Sequence, residues 1–222
     1  MVVPRQERSS VSLERKHPKG SPRDLTLIVC TDESKDYFQD LVNYLKLDTQ
    51  IAVDTVSDEL NFTEQVEEAL LISQQSKPHR RLFAVLNSND LCYQKSGLTG
   101  QIRQALKLIS QQNLPNNRIF RLVISNPGFQ LWLLLHFAKG DFSALDAGEW
   151  SNCVEEKLEE FIPNFQSVET RKEFFAKSYP LLETAVKNSK NLRLIQSVKP
   201  GPSSEIHELV AYLLKLQRRY GE

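Results

Sequence analysis

Long apolar runs are missing from this chain. The longest, Leu131 to Phe137, is interrupted by His136 and falls far short of the ~20 residues that cross a bilayer as a helix, so no membrane role is expected. Cysteine is scarce. Cys30, Cys92 and Cys153 lie far apart, with no CxxC and no histidine at ligand spacing; they read as small buried apolar groups in a reducing compartment rather than a zinc site. Neither sign of charge is in excess, with 28 Lys and Arg against 28 Asp and Glu, so whole-chain electrostatics does not argue for nucleic acid. Of the eight glycines, Gly97 and Gly100 have neither a P-loop lysine pattern nor a preceding strand. Neither a Ser-His-Asp elbow nor an HExxH motif occurs. A dinucleotide or ATP enzyme is therefore poorly supported. The first 23 residues lack the apolar centre of a signal peptide, and the expected location is the cytoplasm.

What is present is alternation. Residues 1–24 are basic and polar, including RQERSSVSLERKHPKGSPR (Arg5 to Arg23), and form an expected solvated arm. From Asp24, short apolar runs at 24–30, 51–56, 82–87 and 119–125 are expected strands. Between them lie segments of helical period. These are 33–47, with Tyr37, Phe38, Leu41, Val42 and Leu45 inward, 62–76, with Val66, Leu70 and Leu71 inward and Asn61 or Thr63 as cap, and 99–112, with Ile102, Leu106 and Ile109 inward. NPG then precedes a further helix, FQLWLLLHF. Residues 149–161, 171–188 and 203–219 also have helical period, with Ser203-Ser204 as cap of the last. The expected fold is α/β, with about four strands in a mostly parallel sheet flanked by helices. It divides into the arm (1–24), an α/β core (25–140) and a C-terminal helical lobe packed on it (141–222).

Open parallel sheets bind ligands beyond the carboxyl ends of their strands. The loops of interest therefore follow Cys30, Val53, Leu86 and Ile124. The first reads TDESKDYF (Thr31 to Phe38), the third NSND (Asn87 to Asp90) and the fourth SNPGFQ (Ser125 to Gln130).

Taken together, LIVC with its polar turn and Tyr37-Phe38, the strand ending near Asp90, and SNPGFQLWLLLHF (Ser125 to Phe137) resemble the RloB family. AKSY (Ala176 to Tyr179), AVKNSK (Ala185 to Lys190) and GPSSEIHELV (Gly201 to Val210) extend the resemblance, which covers roughly residues 25–214. It implies a Toprim-type fold, shared with topoisomerase and primase catalytic domains and with phage-defence nucleases, in a prokaryotic defence system beside an ATPase. Toprim enzymes hold Mg²⁺ between a glutamate after the first strand and an Asp-x-Asp after a later one, because a hard cation needs anionic oxygens. Here the acidic positions of the family's first loop match Thr31 and Lys35. Those of the third match Asn87, Asn89 and Asp90, and the glutamate after its N-P-x-F matches Gln130. Only Asp90 keeps its charge.

Three readings follow. In the first, the chain is a catalytically degenerate Toprim protein that binds nucleic acid, a nucleotide or a partner as sensor or scaffold, with no cofactor expected. In the second, Asp32, Glu33 and Asp90 form a rearranged catalytic site that holds Mg²⁺ in an active nuclease. The plainer account of those acids has Asp32 capping a helix that starts at Glu33, Glu33 and Asp36 in the field of its N-terminus, and Asp90 in a turn. In the third, the protein is a pure interaction module, marked by an exposed stripe of Ile206, Leu209, Val210, Leu213 and Leu214. Asn126, Lys177 and His207 are candidates for phosphate or partner contact, a helix-surface role being the alternative for Lys177 and His207. His136 is expected as a hydrogen-bonded core histidine and Trp132 as core packing. Arg80-Arg81 lie at the end of the sheet opposite the site, which suits solvent or a partner better than catalysis.

Overall fold

The computed structural model describes residues 25–76, 79–88, 97–112, 118–139, 149–165, 167–196 and 201–220. The arm, Asn89, Asp90 and Cys92 lie outside the described residues.

Five strands form one sheet in the order β2-β1-β3-β4-β5. They are β1 (Thr26–Thr31), β2 (Ile51–Val56), β3 (Arg81–Asn87), β4 (Ile119–Asn126) and β5 (Ser203–Ser204). The first four run parallel, and β5 pairs antiparallel with the last two residues of β4. β1 is buried at every position, as a central strand covered on both faces must be. The fifth strand is a correction: Ser203 and Ser204, expected as a helix cap, extend the sheet instead. The stretch is too short and polar to show a period of two.

The helices are α1 (Asp32–Tyr44), α2 (Phe62–Gln75), α3 (Gly97–Gln111), α4 (Phe129–Leu134), α5 (Trp150–Phe161), α6 (Val168–Ser178), α7 (Leu182–Gln196) and α8 (Ile206–Tyr220). The segment expected as one helix over 171–188 is two, joined by a 3₁₀ turn at Tyr179–Leu181; Pro180 has no N–H to continue the α ladder. Asn61 caps α2 with its side chain in a capping box with Glu64. Two inward assignments fail. Leu71 and Leu106 are 56% and 53% exposed, and Ala69 and Ala105 take the buried positions.

The sheet separates two apolar clusters. One face packs Leu27, Val29, Leu82, Ala84 and Leu86 against α2 and α3. The other packs Ile28, Cys30, Phe83, Val85 and Val123 against α1, α4 and the C-terminal helices in one continuous cluster reaching Leu216. Ile206, Leu209, Val210 and Leu213 of α8 are fully buried in it, so the stripe that would have marked an exposed interface is turned into the protein's own core. Burial pushes the Cys30 thiol up to about 12, which keeps it neutral.

At the centre of the larger cluster lies a buried polar chain. Trp132 Nε1 donates to Tyr37 Oη at 2.9 Å. His136 Nδ1 faces the carbonyls of Trp132 and Leu133 at 3.0 and 3.2 Å, and so must carry the ring proton. Its Nε2, 3.2 Å from Tyr37 Oη, is then the acceptor of the tyrosine hydroxyl. Burial holds the imidazole down near 4 and the tyrosine well above its ordinary value. His136 and Trp132 are thus core residues, as expected. Tyr37→Phe leaves a buried donor and a buried acceptor unmatched and should cost about 2–3 kcal/mol in urea unfolding. Tyr179→Phe loses only a 3.5 Å contact with the Tyr37 carbonyl and should cost less. Equal losses would show that the Trp132–Tyr37–His136 chain does not pin these helices.

Candidate functional site

The chain leaves β1 to one side for β2 and returns on the other side for β3. That reversal opens a crevice at the carboxyl ends of β1 and β3, the place where open α/β sheets take ligands. Thr31 and Asn87 are the last residues of these two strands, and Asn87 Nδ2 reaches across to Thr31 Oγ1 at 3.3 Å.

The crevice is organised around Glu33, in the first turn of α1. Asn87 Nδ2 donates to its Oε2 at 3.1 Å, and Gln130 Nε2 donates to its Oε1 in a short hydrogen bond. The amides of Asn87 and Gln130 therefore converge on a single carboxylate. Both amides must present their NH₂ groups, because a carboxylate offers only acceptors. The backbone N–H of Glu33 is bonded in turn by Asp58 Oδ2 at 2.9 Å. Asp58, from the loop after β2, thus satisfies one of the helix's orphan donors. This replaces the expected cap: α1 begins at Asp32 itself, Asp32 caps nothing, and the Thr31 side chain makes no capping bond. Ser34 Oγ instead bonds the Thr31 carbonyl at 3.1 Å.

Burial pushes the Glu33 carboxyl up to about 7, and neighbouring Asp58 adds to the rise; Arg171 and the two amides pull it back. Arg171 and Lys172 of α6 face Asp32, Glu33 and Asp36 across a cleft of about 90 Å³. Asp32 and Lys35 are exposed, so of the first-loop residues only Thr31 and Glu33 meet the amides. Asn89 and Asp90 lie outside the described residues. Among the described residues no three His, Cys, Asp or Glu side chains come together as a cation ligand set.

Asn126, Lys177 and His207 are not brought together. Asn126 lies at the end of β4, before a cis peptide bond to Pro127. Its amide is used internally, accepting from Ser88 Oγ at 3.2 Å and donating to the Gly201 carbonyl at 3.3 Å. His207 is buried, with Nδ1 2.9 Å from both Ser189 Oγ and the Ser204 carbonyl. Its neighbour Ser204 also meets Ser125 Oγ at 3.2 Å. These contacts rivet β4, β5, α7 and α8 behind the crevice. Only Lys177 is exposed.

Asp58, Arg171 and Lys172 were not marked by the sequence. Asp58 follows a strand end and could have been found by the same loop rule; the basic pair lies on a C-terminal helix with no motif around it. Chemically, the crevice offers a half-buried carboxylate, Glu33, held in place by two amides, with Arg171 and Lys172 across the cleft.

A family model described as RloB-like protein matches residues 26–213. No curated protein and no solved structure matches the chain.

Glu33 binds its proton more tightly folded than unfolded. Its contribution to stability is complete below the unfolded value of 4.5 and lost as pH rises through about 7. Glu33→Gln should therefore gain on the parent protein between about pH 5 and about pH 8, by roughly 1–2 kcal/mol after allowing for partial solvent screening. Thermal melts across that range check the sign, and a difference that is flat with pH rejects the burial of this carboxyl.

Proposed function

The chain belongs to the RloB-like family, and from that premise we propose that it is a Toprim-like member that recognises rather than cuts. One observation carries the reading: both carboxylate oxygens of Glu33 are occupied by amide donors, from Asn87 and Gln130. In a cation pocket the neighbours of such a glutamate are further anions, and the ion lies between them. Here the N–H groups lie where positive charge would otherwise be needed. A Mg²⁺ ion would have to displace both amides and would gain no carboxylate from either position. The same substitutions that remove the ion's ligands thus stabilise the carboxylate it would leave behind. On this reading the protein is a binding or scaffold subunit of a cytoplasmic prokaryotic defence assembly, beside an ATPase partner. Its ligand is nucleic acid or a nucleotide.

Titration calorimetry with Mg²⁺ and Mn²⁺ tests this directly. The unmodified chain should give no binding heat at millimolar metal. Asn87→Asp/Asn89→Asp/Gln130→Glu should acquire an affinity at least about tenfold above any residual binding, some 1.4 kcal/mol. Tight binding by the unmodified chain that disappears in Asp32→Asn/Asp90→Asn would overturn the reading in favour of a working nuclease with a rearranged acidic set.

A further inference from the structure

The chain's zero net charge conceals a separation along the strands. Asp32, Glu33, Asp36 and Asp58 gather at the carboxyl ends of the strands. At the amino ends, Arg80 precedes β3 and Arg81 opens it, and Arg118 and Arg121 lie just before and at the third position of β4. Arg118 is committed to the fold, donating to the Ser73 carbonyl at 2.7 Å. Arg81 and Arg121 are not used in that way. The parallel register sets Arg81 beside Ile119 and Phe83 beside Arg121, so all four side chains leave the sheet on one face. There they line a cleft of about 130 Å³ closed by Tyr212 of α8.

The cleft combines charge with a fixed aromatic wall. The Arg81 guanidinium lies over the Tyr212 ring, 5.4 Å from its centre. The ring is held by Phe83, 5.1 Å away between centroids, and by a 2.8 Å hydrogen bond between its hydroxyl and Thr26 Oγ1. Arg121 has a side chain 59% exposed and only a long 3.8 Å ion pair, to Glu208. The backbone beside the cleft is tied down as well: the Leu25 carbonyl accepts the Arg80 and Arg81 N–H groups at 2.9 and 3.4 Å.

We infer that this amino end of the sheet, centred on Arg81, Arg121 and Tyr212, is a contact surface for the phosphodiester backbone of a nucleic acid. The inference rests on the reading of the protein as one that binds rather than cuts, and adds the ligand class and the place. Two arginine forks at a rigid wall suit phosphate oxygens. Each arginine that neutralises a phosphate also releases a condensed counterion, which a polyanion of regular charge rewards. An acidic protein would lack that regular spacing, and is the competing occupant to be tested.

The test is fluorescence anisotropy of the full chain with a labelled mixed-sequence single-stranded oligonucleotide, at about 50 and about 200 mM salt. Binding should be measurable at the lower salt and fall steeply at the higher. Arg81→Glu/Arg121→Glu should weaken it at least tenfold and flatten the log–log salt slope by about 1.4, the value for two lost phosphate contacts. Arg121→Gln alone alters an exposed side chain and should still weaken binding several-fold if the double variant misfolds. Glu208→Gln should strengthen it. No binding at low salt, unchanged affinity in the Arg121 variants, or equal affinity for poly-glutamate would each overturn the assignment. The metal titration reads the opposite end of the sheet. Loss of this surface and failure of the Glu33 reading would therefore be seen separately.

Discussion

A buried hydroxyl must find both a donor and an acceptor, and Tyr37 finds both within five residues of chain. Trp132 of α4 supplies the N–H, and His136, in the turn just past the helix end, the lone pair. The requirement fixes α1 against α4 in rotation and in height. Glu33 lies one turn before Tyr37 on the same face of α1, and Gln130 lies two residues before Trp132. The meeting of carboxylate and amide at the crevice is thus downstream of a packing constraint about one helical turn deeper. Aromatic contacts reinforce it: Phe38, Phe129, Phe175 and Tyr179 all pack around the Tyr37 ring within 6 Å between centroids.

That arrangement explains why the site was only half legible in the sequence. Strands β1 to β4 were legible because each is a short apolar run bounded by polar turns. Asn87 and Gln130 were identified as amides at family acid positions. Their common partner was not, because which way Glu33 turns depends on the rotation of α1, set by residues nearly a hundred positions away. Asp58 escaped notice for a related reason: a lone carboxylate in a loop carries no signal until the helix whose N–H it bonds is placed beside it. The break of the C-terminal helices at Pro180 could have been read; the two serines of β5 could not. Leu71 and Leu106 misled because a large aliphatic residue beside a buried position continues the apparent stripe, while the smaller Ala69 and Ala105 occupy the tight ground between helix and sheet.

The crevice also shows what two amides do for a part-buried carboxylate. An amide and a carboxylate are nearly isosteric but differ in what they offer, a carboxylate acceptors only and an amide a donor pair beside its acceptor. The carboxylate needs donors, and two amides supply them without importing a charge. Burial raises the Glu33 carboxyl to about 7, with Asp58 adding to the rise and Arg171 opposing it.

The short β5 has a consequence for how the protein behaves in company. It pairs with Ser125 and Asn126 of β4, and Glu205 just beyond it bonds the Ile124 carbonyl with its N–H and the Ile124 N–H with its side chain; among the described residues no strand pairs with the rest of that outer edge. Ile119 alternates there with half-buried Phe120, and an uncovered strand edge is a template for edge-to-edge stacking of copies at high concentration. The exposed charge of Arg121, midway along the open stretch, places like charges together whenever two such edges align. One residue therefore acts as a gatekeeper for colloidal stability, keeping an incomplete sheet from becoming an intermolecular one.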